Sequence, residues 1–172
     1  TEPNLHVYVE DGRTFMRATT HTYDLVAIDA FQQPYIPFQL TTREFFEEIR
    51  AHLTPSGVLT VNTAHTCGNY ALVRAFVNTL YAAGFANVYT MDVGTTLNTE
   101  VIATRAATTL STLRANLATV PPSSLVSQVA AEASQAARDA HAAPGGIVFT
   151  DDRAPVEELT DQLIISYIQH NC

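Results

Sequence analysis

Apolar and polar positions change rhythm along this chain, and the switches divide it into strands and helices. Leu5-His6-Val7-Tyr8-Val9 alternates and is rich in β-formers, and Glu10-Asp11-Gly12 closes it as a turn, which predicts a strand. A short segment over 13–20 carries Phe15 and Met16 toward the core. Tyr23-Asp24-Leu25-Val26-Ala27-Ile28-Asp29-Ala30 is an apolar run bracketed by two acids. Its pattern predicts a parallel strand with Leu25, Val26 and Ile28 buried on both faces. Phe31 to Gln39 reads as a loop holding Pro34 and Pro37. Thr41-Thr42-Arg43-Glu44 has the spacing of a capping box and opens a helix with Phe45, Phe46, Ile49 and Leu53 as its stripe. Pro55-Ser56-Gly57 stops that helix, and Val58-Leu59-Thr60-Val61 is the next strand.

The same rhythm continues. Residues 69–83 predict a helix with Leu72, Val73, Phe76, Leu80 and Tyr81 inward and Gly84 as its stop. Strands follow at 88–91 and 101–104, an antiparallel pair around a turn at Gly94. Alternation of strands and helices up to Arg105 predicts a mostly parallel α/β sheet. Beyond residue 106 the pattern turns helical: 108–118, then an Ala-rich helix over 123–141 after Pro121-Pro122. Gly145-Gly146 leads into an apolar Ile147-Val148-Phe149, and 160–169 closes the chain as a helix with Leu163, Ile164, Tyr167 and Ile168. Two stretches result: 1–106, the α/β part, and 107–172, a helical extension and tail of the same domain.

Charge narrows the function classes. The 172 residues carry a formal charge of −8, and all nine basic residues are arginines. Without lysine there is no Schiff-base or P-loop lysine in this chain. With no basic stripe, nucleic acid is not the expected partner. An amine-bearing substrate suits the acidity, as does plain solubility. Cys67 and Cys172 are isolated, so neither a disulfide framework nor a zinc pattern is visible, and a reducing, cytoplasmic compartment is the expectation. No apolar run approaches the ~20 residues of a membrane span. Thr1-Glu2-Pro3-Asn4 lacks the form of a signal peptide, and without Met at position 1 the chain reads as a processed or excised piece.

Asp29 is the leading chemical candidate, because in open α/β sheets ligands sit outside the carboxyl ends of the strands. His65-Thr66-Cys67 follows a strand and reads either as a nucleophilic pair or as simple loop lining. Asp151-Asp152 reads as a contact to magnesium or an amine, or as a solvated turn. Neither amounts to a metal site, and no metal is expected.

Three stretches in order carry a resemblance: Val9-Glu10-Asp11-Gly12-Arg13-Thr14-Phe15, Tyr23 to Phe31, and Leu40-Thr41-Thr42-Arg43-Glu44-Phe45-Phe46 running on to Leu53-Thr54-Pro55-Ser56-Gly57-Val58-Leu59. With the tail Thr150-Asp151-Asp152-Arg153-Ala154-Pro155-Val156-Glu157, the chain resembles the polyamine aminopropyltransferases, the spermidine synthase family. The resemblance implies a Rossmann-like class I methyltransferase fold with strand order 3-2-1-4-5-7-6, of which this chain holds the C-terminal half. It implies decarboxylated S-adenosylmethionine as co-substrate, or S-adenosylmethionine in the methyltransferase alternative, and a small-molecule amine as acceptor. Asp11 matches the acid that takes the adenine amino group, with the Gly12 backbone beside it; a turn Asp-Gly is the plainer reading. Asp29 matches the proton acceptor for the attacking amine, since only the neutral amine is a nucleophile. Gln32 stands where the family places a second, amine-holding Asp, which puts putrescine itself in doubt. Tyr35 is a pocket wall or surface. No G-x-G occurs, so the glycine-rich front of the cofactor site is not in these residues. Leu5–Val9 then lacks a neighbour from its own chain, and an exposed edge of that kind predicts a dimer or strand exchange. A degenerate, non-catalytic interaction module is the remaining alternative.

Overall fold

The computed structural model describes residues 4–31, 34–66, 68–94, 96–122 and 125–170. Asp11 starts the first helix, α1 (Gly12–Ala18), by accepting from the backbone N–H groups of Arg13 and Thr14 at 3.1 and 2.9 Å. Strand β1 (Tyr23–Ile28) follows, then a short 3-10 turn at Phe38–Leu40 and helix α2 (Arg43–His52). Thr42 caps α2 by accepting from Phe45 N, one residue later than the capping-box spacing predicts. Glu44 is thereby freed to accept from the Asp151 backbone N–H at 3.0 Å, tying the tail to the helix.

Strand β2 (Leu53–Ala64), helix α3 (Ala71–Ala82), and strands β3 (Asn87–Asp92) and β4 (Asn98–Thr104) complete the α/β part. Helices α4 (Leu110–Leu117) and α5 (Leu125–Ala136), strand β5 (Arg138–Ala140) and helix α6 (Val156–His170) follow. Gly84, at φ +84°, ends the α3 turn in a conformation that side-chain-bearing residues avoid.

The strands are ordered β1-β2-β4-β3-β5. Only β1–β2 pairs in parallel; the other three pairings are antiparallel. The expected mostly parallel sheet holds in direction for β1, β2 and β3 and fails in pairing, because the β3–β4 hairpin inserts β4 between β2 and β3. The succession β1-β2-β4-β3 reproduces the 4-5-7-6 half of the class I methyltransferase order.

Four local expectations are corrected. Leu5–Val9 forms no strand: it has no ladder partner among the described residues, and Leu5, Val7, Tyr8 and Val9 are exposed. Leu25 is 59% exposed, because β1 ends the sheet formed by the described residues. The Ala-rich helix stops at Ala136, and the chain extends so that Val88, Tyr89 and Thr90 of β3 gain partners in Ala140, Asp139 and Arg138. In α6 the buried line is Val156, Leu159, Thr160 and Leu163, while Ile164, Tyr167 and Ile168 face outward.

The core lies between the sheet and α2, α3 and α6. Phe46, Phe76 and Phe149 are fully buried, with Phe149 meeting Phe76 edge-on at 5.6 Å. Each such ring contributes roughly 1.5–3 kcal/mol relative to exposure. Phe149 is held by its backbone: its N–H donates to Thr79 Oγ1 at 2.9 Å and its carbonyl accepts from Arg43 N at 2.8 Å. The tail is thus pinned across α2 and α3 without forming a strand. Among the described residues no helix is long and apolar enough to cross a membrane.

Candidate active site

Parallel pairing with β2 sets where β1 ends. Ile28 lies opposite Val61, so the next residues, Asp29 and Asn62, come side by side at the carboxyl end of the sheet. Asn62 Nδ2 donates to Asp29 Oδ1 at 3.0 Å. Across β2–β4, Asn62 is in turn the register partner of Glu100. Burial, and secondarily the charge of Asp29, push the Glu100 carboxyl up. Asn62 Oδ1 is buried and has no donor among the described residues.

A groove of about 440 Å³ joins Asp29 to Gly12. One wall is β1 with Ala30, and the other is Phe15, Met16, Leu40, Phe45 and Ile49 from α1, the 3-10 turn and α2. Leu40 packs beside Gly12: a Cβ built there would lie 3.7 Å from Leu40 Cδ2, an ordinary van der Waals contact. The resemblance implied roles for Asp29 and Gly12 in one reaction, and the fold opens both onto one apolar cleft.

Asp11 sits at the mouth of this arrangement but is engaged. Its Oδ1 accepts both α1 N–H groups and the Thr14 hydroxyl, and the bond from Thr14 N is the largest of the effects that lower its acidity range. Among the described residues its Oδ2 meets only the Gln39 amide, at 3.4 Å. Tyr35 is directed elsewhere: its hydroxyl donates to Asp161 of α6 at 2.9 Å, which raises the phenol. Gln32 and Cys67 lie outside the described residues.

Two clusters were not legible in sequence. Arg13, 8% exposed, forks between Glu48 of α2 (3.0 Å) and Asp151 of the tail (2.7 Å), and Glu48 also accepts from Arg17 at 2.8 Å. Thr42 donates to Asp151 at 2.7 Å. Arg13 is consequently held firmly charged, and Asp151 is lowered chiefly by its bond from Arg13. This clamp answers the question left by Asp151-Asp152: Asp151 is a structural anion. The second cluster lies at the ends of β2, β3 and β4. Thr99 and Tyr70 donate to Asp92 at 2.6 and 2.8 Å, and His65 Nδ1 lies 2.8 Å from Thr99 Oγ1. Since the Thr99 proton goes to Asp92, Nδ1 of His65 is the protonated nitrogen. The Tyr70 ring stacks on His65 at 4.5 Å. The signal for both clusters was long-range pairing, with partners up to 138 residues apart.

Comparison with known proteins agrees with this fold. Residues 1–114 match the spermine/spermidine synthase domain. A probable polyamine aminopropyl transferase of Bifidobacterium longum is 36% identical over 102 residues, 58% of this chain and 23% of that protein. The polyamine aminopropyltransferase of Vibrio vulnificus is 39% identical over 70 residues, 39% of this chain and 23% of that protein. The chain therefore spans under a quarter of the length of these relatives. Among solved structures, a probable spermidine synthase from Corynebacterium glutamicum superposes with a TM-score of 0.63 at 17% identity, covering 88% of this chain and 56% of that one. Human methyltransferase-like protein 13, solved with SAH, gives 0.52 at 17% identity, over 76% and 57%. These two establish the class I methyltransferase-like fold. With the domain match covering more than half of its 172 residues, the chain belongs to the spermine/spermidine synthase family.

Proposed function

We propose that the protein carrying this chain transfers an aminopropyl group from decarboxylated S-adenosylmethionine to a small amine, with Asp29 as the base. The observation that carries this reading is the cleft joining Gly12 to Asp29, with the carboxylate at the carboxyl end of β1 and one oxygen held by Asn62. The amine lone pair attacks the donor's aminopropyl carbon next to the sulfonium. The carbon–sulfur bond breaks, its electrons neutralise the sulfur, and methylthioadenosine leaves. The proton shed by the new ammonium centre passes to Asp29 Oδ2, the oxygen that Asn62 leaves open. A carboxylate placed this way contributes about 10²–10⁴-fold.

The fit of the nucleoside part rests on this chain's own residues. The apolar wall of Phe15, Leu40 and Phe45 suits an adenine ring, with Gly12 on the same cleft. Asp11 Oδ2 is available to the adenine amino group once the long contact to Gln39 is exchanged. Its cap on α1 uses the other oxygen, so the two tasks are compatible. Gln32 enters this reading as the amide at the acceptor-side position that the family resemblance implies, and Tyr35 only if its bond to Asp161 is exchanged. A dimer in the cytoplasm is part of the same proposal, with residues 1–106 as the catalytic part and 107–172 as its extension.

The test is product analysis. The protein is incubated with an amine panel and either decarboxylated S-adenosylmethionine or S-adenosylmethionine, and products are read by mass spectrometry. An aminopropylated amine with methylthioadenosine is the expected result. A methylated product with S-adenosylhomocysteine assigns the site to methyl transfer instead, and no product with either donor contradicts catalysis.

A further inference from the structure

Asp29, Asn62 and Glu100 stand in one row across three neighbouring strands, and direct register partners project from the same face of a sheet. Neighbouring strands are about 4.8 Å apart, so the two carboxylates are carried on backbones roughly 10 Å apart with the amide between them. Three facts make this row unlike the paired acids elsewhere. Glu100, partly buried, has no hydrogen bond or ion pair among the described residues. Its one charged neighbour in the row, Asp29, repels it. Between them, the buried Asn62 Oδ1 accepts nothing among the described residues, although an unpaired buried acceptor costs about 1–3 kcal/mol. A carboxylate, an amide oxygen and a second carboxylate in line all ask for N–H donors and positive charge.

We propose that Glu100 is a specificity-determining residue for the acceptor: it holds a cationic nitrogen at the far end of a diamine whose reacting nitrogen lies at Asp29. This rests on the assignment of Asp29 as the amine site. Glu100 would then supply a charge that Gln32, an amide, does not carry. The site reads the acceptor by length as well as charge. A monoamine satisfies Asp29 and leaves Glu100 unpaired, whereas a short diamine spans both.

Calorimetric titration with 1,4-diaminobutane and 1-aminobutane tests this, using wild type, E100Q, D29N and E132Q, the last removing an exposed charge on α5. The expected result is a diamine affinity at least tenfold above that of the monoamine. E100Q abolishes that preference while holding monoamine affinity within twofold, and E132Q changes neither. Equal binding of the two amines by wild type, or an undiminished preference in E100Q, overturns the proposal while Asp29 stands, provided D29N weakens both amines. Equal loss of preference in E132Q also overturns it, since bulk charge then accounts for the effect. Amine binding that D29N leaves intact, or none in wild type, instead defeats the underlying assignment. Circular dichroism of each variant separates loss of binding from loss of fold.

Discussion

The two charged regions of this molecule are built on opposite principles. At the junction of α1, α2 and the tail, Arg13 meets two carboxylates, Glu48 meets two guanidinium groups, and Thr42 completes Asp151. At the carboxyl end of the sheet, among the described residues, Asp29 has one amide donor, Glu100 has none, and a buried oxygen of Asn62 is left over. A network whose members satisfy one another holds a fold together and has little left to offer a ligand. A row whose members lack partners is kept at a cost to stability, which is the usual condition of a binding site. The difference separates an anchor from a candidate binding edge without appeal to any relative.

The largest expected effect lies in the anchor. Replacing Arg13 with Met leaves Glu48 and Asp151 without their shared partner, and urea unfolding should show a loss of about 3 kcal/mol. A loss below ~1 kcal/mol would reduce the clamp to an ordinary surface ion pair. At the reactive edge, N62A frees Asp29 Oδ1, and kcat should fall about tenfold with an altered pH–rate profile and unchanged unfolding midpoint. An unaltered profile would make Asn62 scaffolding.

The two regions also titrate with opposite sign. Burial pushes Glu48 up, but its bonds from Arg13 and Arg17 outweigh that and leave it lowered, and Asp151 is lowered by Arg13. Their stabilisation is complete above the unfolded carboxylate range, about pH 4, and is lost as pH falls through the lower folded values. Glu100 is raised, so its penalty is absent below about pH 4 and grows as pH rises through its folded value. E100Q should therefore raise Tm at pH 7 by about 2 °C and leave it unchanged at pH 3.5. Thermal scans at both pH values check this, and a stabilisation that persists at low pH would point to repacking rather than charge.

Much of the α/β part was legible because its signals are local. The apolar stripe of Phe45, Phe46 and Ile49, the α3 stripe with Gly84 behind it, and the Gly94 hairpin each lie within one or two turns of chain. Pairing partners are not local, and there the reading failed. Leu25 looks buried by composition, yet only strand order reveals β1 as an edge. Arg138-Asp139-Ala140 has helix-compatible residues, and the free edge of β3 overrides them. Asp29, Asp11 and Gly12 stood out through motif and position. Asn62 and Glu100 did not, since a polar residue within a strand pattern gives no hint of which neighbour it faces.

The central claim is that the under-partnered edge acts while the clamp merely holds. Turnover of D29N beside wild type, under saturating donor and amine, tests it most directly. The account predicts a kcat at least 100-fold lower with an unfolding midpoint no lower than wild type. Wild-type turnover in a folded D29N protein would contradict it.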